Sequence, residues 1–257
     1  MGTAATRSLE RVAAAMGQLE SAPIEFEATC DVTNGGVLLA LPALLAAGLL
    51  RFTSQLYQLP KGFYGIESIF LLLASMALTR VPSLEQLRYQ VPGEWGKLLG
   101  LDRIPEVRTL RAKVKLLSQD MGLSMRWNSE LAKEWIARQN DAEMYFYCDG
   151  HVRVYHGDQT DLPRHYVARE RLCLRATTDY WVNAMDGQPF FYVNKEVDPG
   201  AQELKAHCLI ATLKQDVIPW LEKNVAKTPE QEQRLVADAH AHWFTMVFDR
   251  EGYWCKS

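Results

Sequence analysis

The spacing of apolar residues predicts a helical first half and a second half that mixes strands with helix. Two apolar runs, residues 36–50 and 69–78, follow glycine-containing turns, and both are shorter than the roughly 20 residues that a membrane-spanning helix needs. Buried helices are the preferred interpretation, and a membrane-associated protein is the weaker alternative. An amphipathic helix is predicted over residues 125–140, where tryptophans and aliphatic residues fall on one face.

The segment 80–118 combines short helices with more Lys and Arg than Asp and Glu. Pro92 and Pro105 open two helices, and apolar residues form a stripe along the second. Three compact helices with a basic last one resemble a helix-turn-helix unit, in which cations contact phosphates. A solvated helix face is the alternative. The candidate DNA contacts here are Arg103, Arg108, Arg111, Lys113 and Lys115.

The first strand signal surrounds an isolated carboxylate. Residues 143–149 are apolar or aromatic at nearly every position, which is typical of a strand covered on both faces. Gly150 is expected to break this strand, after which residues 151–157 alternate between apolar and polar. The sequence therefore predicts a hairpin with Asp149 at its rim.

Two more strands and a helix follow, before a last strand that also ends in a carboxylate. Asp186 and Gly187 form a strong hairpin signal, and a helical period then extends to Asn224. The strand Phe244–Phe248 is followed by Asp249. The order of strand, strand, strand, helix and strand, with an aspartate closing the first and the fourth strand, is the layout of the ribonuclease H-like fold.

In that fold the first and fourth strands lie side by side and parallel, so Asp149 and Asp249 are expected to meet. A divalent cation relieves the repulsion between two adjacent carboxylates. Mg²⁺, or Mn²⁺ in its place, prefers hard oxygen ligands and keeps waters that phosphate oxygens can replace. Two such ions can activate an attacking hydroxyl and stabilise a leaving oxygen. Asp149 and Asp249 are therefore the candidate catalytic and metal-binding residues.

Several blocks of the sequence resemble bacterial insertion-sequence transposases of the DDE type, over about residues 32–253. The resemblance implies an enzyme that cleaves and joins double-stranded DNA at transposon ends and target, with two aspartates and one glutamate as metal ligands. It identifies Asp149 and Asp249 as the two aspartates, favours the helix-turn-helix interpretation and allows a homo-oligomer. The blocks are residues 147–157 (YCDGHVRVYHG), 162–191 (LPRHYVARERLCLRATTDYWVNAMDGQPFF) and 244–253 (FTMVFDREGY), preceded by the helical block 64–111.

Further candidate contacts to the DNA backbone lie around the first strand and in the connection to the second hairpin. They are Arg153, Arg164, Arg169 and Arg171. Solvated arginines are the alternative interpretation of this group.

The sequence departs from the family pattern at its end. Such transposases continue to a helix that carries the glutamate, whereas this sequence ends soon after Asp249. Glu251 is near, but a glutamate beside Arg250 is more typical of a surface ion pair. The expectation is a truncated transposase with little or no catalysis. A non-catalytic remnant that binds DNA is the alternative.

Composition adds few constraints to this α+β assignment. The net charge of −3 excludes a basic field over the whole chain, and five widely spaced cysteines indicate reduced thiols in a cytosol. The resemblance implies a bacterial cytoplasmic protein that associates with the nucleoid. The predicted organisation is a flexible segment (1–31), a helical region (32–140) with the helix-turn-helix-like unit at about 80–118, and an incomplete ribonuclease H-like mixed sheet with helix (141–257).

Overall fold

The computed structural model describes residues 6–138, 144–157, 160–167, 169–195, 213–242 and 244–248. The chain divides into two compact units, Met1–Trp127 and Asn128–Ser257. The boundary falls within one long helix, Met121–Ala137. The first described unit is helical, and the second contains the sheet, so the α+β composition that the sequence predicts is confirmed.

The first unit is built from short helices around one long apolar helix. Its α-helices are α1 (Ser8–Ala15), α2 (Leu41–Ala47), α3 (Thr53–Leu56), α4 (Ile66–Leu78), α5 (Pro92–Leu98), α6 (Val107–Leu117) and the start of α7 (Met121–Ala137). Two 3₁₀-helices, Gly35–Ala40 and Leu84–Tyr89, lie between them. Ile69 and Leu72 of α4 pack with Trp95 and Leu110 in a core that excludes water from all four side chains.

The two apolar runs have different environments. The second run forms α4, which has six buried side chains, as predicted. The first run forms the 3₁₀-helix Gly35–Ala40 and α2, and neither has a buried residue; Leu39 is 86% exposed. The prediction of a buried helix is therefore wrong for the first run, which covers the core only with partly buried side chains such as Leu38 and Leu41. No helix in the described ranges is long and apolar enough to cross a membrane.

The basic segment forms the predicted short helices. α5 begins at Pro92, and α6 buries Leu110 completely, with Val107, Val114 and Leu117 partly buried against the core. This confirms the apolar stripe on α6. The connection of residues 99–106 folds back on α5, where the amide of Ile104 donates to the carbonyl of Pro92 at 3.1 Å. Whether these helices act as a helix-turn-helix remains a prediction.

The N-terminal segment, which the sequence predicts to be flexible, contains α1 and contacts the rest of its unit. The guanidinium of Arg7 is 3% exposed and donates to the carbonyl of Gly100 at 3.2 Å. Arg11 donates to both carboxylate oxygens of Asp102, at 2.9 and 2.6 Å. Two arginines of this segment are thus bound by groups about 90 residues away, a separation that no local pattern reveals.

The second unit contains a mixed sheet with five described strands. They are β1 (Met144–Val154), β2 (Arg164–Val167), β3 (Leu172–Ala184), β4 (Pro189–Lys195) and β5 (Phe244–Phe248). β3 is antiparallel to β1, β2 and β4, whereas β1 and β5 are neighbours and parallel. The predicted adjacency of the first and last strands is therefore confirmed. The hairpin around Asp186 and Gly187 also forms, as β3 and β4.

The predicted hairpin within residues 143–157 is wrong. β1 is continuous through Gly150, so Asp149 lies within the strand rather than at its end. Gly150 fits a close approach instead of a turn, because a Cβ there would lie 3.1 Å from Cε1 of Tyr180 on β3. β2 is a strand that the sequence does not predict, since its alternation is concealed by the charged residues around it.

One face of the sheet is the core of the second unit. Phe146, Val182 and Phe191 are almost completely buried there, and Trp135 of α7 packs against Phe190 with ring centroids 6.3 Å apart. Beyond β4, a π-helical turn (Leu213–Val217) leads into α8 (Ile218–Asn224), and α9 (Pro229–Ala237) follows with a capping box at Thr228. The opposite face of the sheet carries the candidate site.

Candidate functional site

Asp149 occupies an open position on β1. Its side chain is exposed, and Trp181 of β3 is its cross-strand partner. On the other side, the described parallel ladder with β5 ends at the pair Cys148 and Phe248. Asp149 has no ion-pair partner among the residues that the structure describes. Its predicted partner Asp249 lies outside the described residues, as do Arg250 and Glu251.

Polar and aromatic side chains surround Asp149 on the same face. Because strand residues alternate, His151 and Arg153 share its side of β1. Trp181, which is 38% exposed, packs against Tyr192 of β4 with ring centroids 4.7 Å apart. This face therefore combines a free carboxylate, a cation and an accessible aromatic surface.

Asp179 is a second carboxylate on this face, and it is completely buried. One carboxylate oxygen accepts from Nε and Nη2 of Arg153, at 2.8 and 2.7 Å. The other accepts from the hydroxyl of Tyr192 at 2.9 Å and from the amide of Asn194 at 2.5 Å. Burial, together with the hydrogen bond to Asp179, raises the pKa of Tyr192. Asp179 is thus occupied in joining β1, β3 and β4, which leaves Asp149 as the open acid.

Cys148 precedes Asp149 and points to the opposite, buried face. Burial and the adjacent charge of Asp149 raise the pKa of the Cys148 thiol from its ordinary 9.0 to about 11. The thiol is therefore neutral at physiological pH and packs as an apolar side chain. Within the described ranges no group of three or more His, Cys, Asp or Glu side chains could hold a metal ion.

The candidate DNA contacts of the second unit separate into two places. Arg153 is held by Asp179 with its side chain 66% exposed, next to the open face. Arg164, Arg169 and Arg171 are exposed on and between β2 and β3. β2 pairs with β3 up to Arg175, six residues before Trp181. Since strands rise about 3.3 Å per residue, this pairing begins about 20 Å along β3 from Trp181. The structure therefore does not gather all four arginines around Asp149.

The candidate DNA contacts of the first unit differ in their exposure and in whether an acidic side chain pairs with them. Arg103, Arg108 and Lys115 are exposed and have no acidic partner among the described residues. Arg111 is paired with Glu85, which also pairs with Arg88. Lys113 is half-buried, and desolvation lowers its pKa. Only three of the five predicted cations are consequently available for an outside anion.

A family model described as "Transposase protein" matches residues 2–256. The chain belongs to this transposase family. Searches among curated proteins and among solved structures found no match. The match extends over both units, so the helical unit and the sheet unit of this transposase are both part of the family's sequence pattern.

The sequence did not indicate several residues of this transposase that lie on the sheet face around Asp149 or among the cations of the helical unit. Asp179 of β3 is not among the predicted site residues, although it is the centre of a hydrogen-bond network. Trp181 lies opposite Asp149 only because of the strand register. Arg88 and Arg11 were not among the candidate cations. The alternation of Asp149, His151 and Arg153 is the signal that could have indicated a polar face.

Proposed function

We propose that the chain is a DDE-type transposase with a ribonuclease H-like core, which cleaves double-stranded DNA at insertion-sequence ends and joins it to a target. Membership of a transposase family supports the reaction class. The strand pairing supports the fold, because β4, β3, β1 and β5 follow one another with only β1 and β5 parallel. A homo-oligomer and a cytoplasmic, nucleoid-associated location belong to the same proposal.

The observation that carries the proposal is the parallel register of β1 and β5. It pairs Cys148 with Phe248, and the next residue in the sequence after each is an aspartate, Asp149 and Asp249. Corresponding residues of paired parallel strands have neighbouring positions along the sheet. Asp149 and Asp249 are accordingly the proposed ligands of Mg²⁺ or Mn²⁺. We assign no residue to the family's third acid.

Asp149 fits such a cation. Its carboxylate is exposed and unpaired among the described side chains, so its oxygens are open to a hard cation that keeps some of its waters. When bound, the cation lowers the pKa of a nucleophilic hydroxyl and stabilises charge on the leaving oxygen. The protein contributes the position of the carboxylates. Arg153, oriented by Asp179, offers its remaining N–H groups to a DNA phosphate on the same face.

Binding of Mn²⁺, followed by electron paramagnetic resonance, tests this assignment on the full chain. Replacement of Asp149 or Asp249 by Asn should weaken Mn²⁺ binding about tenfold or more, because each removes a charged ligand. Asp186→Asn is the matched control, since Asp186 is a turn residue that also suits asparagine. The assignment is wrong if Asp149→Asn binds Mn²⁺ as well as Asp186→Asn does. Nicking of supercoiled plasmid in Mn²⁺ then reports cleavage without knowledge of the terminal sequence.

A DNA-binding protein without catalysis is the second candidate. Three exposed cations of the helical unit favour it, because they have no acidic partner within the described ranges and can contact phosphates whether or not the metal site is active: Arg103, Arg108 and Lys115. This candidate predicts DNA binding that weakens steeply with salt, with no nicking in Mn²⁺. Nicking that is lost in Asp149→Asn would exclude it.

A further inference from the structure

A cavity of about 670 Å³ lies within the helical unit. Its walls are formed by the 3₁₀-helix Leu84–Tyr89, the start of α5, the connection before α6 and the first turn of α6, together with Arg11 of α1 and Tyr64. Its volume is in the range of sites that hold a small organic molecule or a nucleotide. None of the sequence patterns predicts it, because its walls come from separate segments.

The lining of the cavity carries a net positive charge. Four arginines and one carboxylate, Glu106, line it. Arg11 is neutralised by Asp102, and Arg88 shares Glu85 with Arg111. Arg103 and Arg108 are exposed and have no acidic partner among the described residues, so their charges remain for an anion from outside.

The backbone that carries Arg103 is held rigidly. The hydroxyl of Tyr64 donates to the carbonyl of Arg103 at 3.1 Å and accepts from Arg11 at 3.0 Å. The guanidinium of Arg11 in turn stacks on Phe63, 3.6 Å from the ring centroid. Gly96 packs directly on the same backbone, since a Cβ there would lie 2.6 Å from Cα of Arg103. Because the backbone at Arg103 is already fixed, only the side chain has to become ordered when this arginine binds an anion.

The remaining walls suit the sugar that follows a phosphate in nucleic acid. Leu87 and Ile104 are nearly buried, and Pro92 and Pro105 extend the apolar surface. The amide of Gln90 is fixed by accepting from Nε1 of Trp95 at 3.1 Å, which leaves its NH₂ group as a donor beside the cavity. A ligand with an anionic end and an apolar ring is complementary to this combination.

We propose that this cavity binds a phosphate and its adjoining deoxyribose in a continuous DNA strand, with Arg103 and Arg108 as the phosphate ligands. The inference rests on the proposed function, which makes DNA the substrate. It deepens that function by assigning the phosphate contact to the cavity rather than to the whole exposed surface of α6. Arg111, Lys113 and Lys115 then contribute little.

Two substitutions on the same helix provide the test. Thr109→Glu places a carboxylate in the cavity, whereas Ala112→Glu adds the same charge to an exposed position of α6 outside it. A glutamate in the first turn of a helix is compatible with folding, and thermal unfolding checks both variants. With a fluorescent duplex as the probe, Thr109→Glu should weaken binding by the full-length chain about tenfold and Ala112→Glu about twofold at most. Equal losses would overturn the assignment.

The salt dependence provides a second, independent readout. Arg103→Gln with Arg108→Gln should reduce the slope of log affinity against log salt by about two, since two phosphate contacts are lost. The control, Arg80→Gln with Arg126→Gln, removes two exposed cations outside the cavity and should leave the slope nearly unchanged. An equal decrease in both double variants would mean diffuse attraction and would contradict the proposal.

The source of the phosphate is tested with a mononucleotide. If dAMP displaces the duplex from the wild-type chain, and Thr109→Glu abolishes dAMP binding, the cavity is a nucleotide site and the assignment to a DNA strand is overturned. If dAMP does not compete beyond its effect on ionic strength, the assignment is supported. Absence of any duplex binding at low salt would instead refute the proposed function itself, so the two failures are distinguishable.

Discussion

Asp149 and Asp179 lie on the same face of one sheet, two residues apart in register, yet their surroundings are opposite. Asp179 is completely buried and accepts hydrogen bonds from Arg153, Tyr192 and Asn194. Asp149 is exposed and has no ion-pair partner among the described residues. The fold uses the first carboxylate to join three strands and leaves the second open. Only the second has oxygens available for a ligand.

The cations of the helical unit show the same contrast. Arg111 is engaged by Glu85 and Lys113 is partly desolvated, whereas Arg103 and Arg108, at a cavity, have no acidic partner in the part of the chain that the structure describes. Charged side chains that are paired within the fold stabilise the protein, whereas exposed charged side chains without a described partner are the candidates for binding a metal ion or DNA.

Replacement of Asp179 should give the largest effect on stability. Asp179→Ala removes the acceptor of a buried hydrogen-bond network, so we expect the free energy of unfolding in urea to fall by about 3 kcal/mol. Asp149→Ala, which removes an exposed carboxylate, should change it by about 0.5 kcal/mol or less. Equal effects of the two substitutions would refute the contrast between the buried and the open acid.

The buried thiol of Cys148, on the opposite face of β1, should make the free energy of unfolding depend on pH. Its folded pKa of about 11 exceeds the ordinary 9.0, so the folded state holds the proton more tightly. The resulting stabilisation is fully present below pH 9 and is lost as the pH rises towards 11. We expect a loss of about 2 kcal/mol from this group over that interval.

The measurement is urea unfolding of wild type and Cys148→Ala between pH 8 and pH 11, roughly the interval over which the linkage acts. Other titrating groups are common to both chains, so the difference between the two curves isolates the thiol. The stability of the wild type should approach that of the variant as the pH rises. A difference that does not change with pH would show that the Cys148 thiol is not perturbed by burial.

The smallest expected effect concerns the paired cations. Glu85→Gln releases Arg88 and Arg111 from their shared carboxylate, so the affinity for duplex DNA should rise about threefold at low salt. Glu67→Gln makes the same charge change at an exposed position of α4 and is the control. A loss of affinity in Glu85→Gln would mean that Glu85 positions these arginines for DNA instead of occupying them.

The sequence predicted those helices and turns whose formation depends mainly on their own residues. The apolar period of α4, the stripe on α6 and the hairpin at Asp186 and Gly187 are of this kind. The pairing of β1 with β5 followed from the order of the strands and was confirmed. The hairpin at Gly150 failed because the reason for that glycine is the ring of Tyr180 on another strand.

The sites were less predictable than the fold, because a charged side chain can bind a ligand only if no residue from elsewhere in the sequence already pairs with it. The sequence indicates that Asp149, Asp179 and Arg111 are charged, but only the folded chain reveals which of them is satisfied. Arg111 meets Glu85 from 26 residues away, and Asp179 meets Arg153 at the same separation. The cavity around Arg103 also depends on α1, through Arg11, and so could not be derived from the basic segment alone.

The proposed metal site requires Asp149 and Asp249 to bind the same ion. A crystal structure of the full chain grown with Mn²⁺, with anomalous scattering used to locate the ion, tests it most directly. We expect an anomalous peak at an ion bound by both carboxylates, at oxygen distances of about 2.0 to 2.3 Å. A peak elsewhere, or two carboxylates too far apart to share an ion, would contradict it.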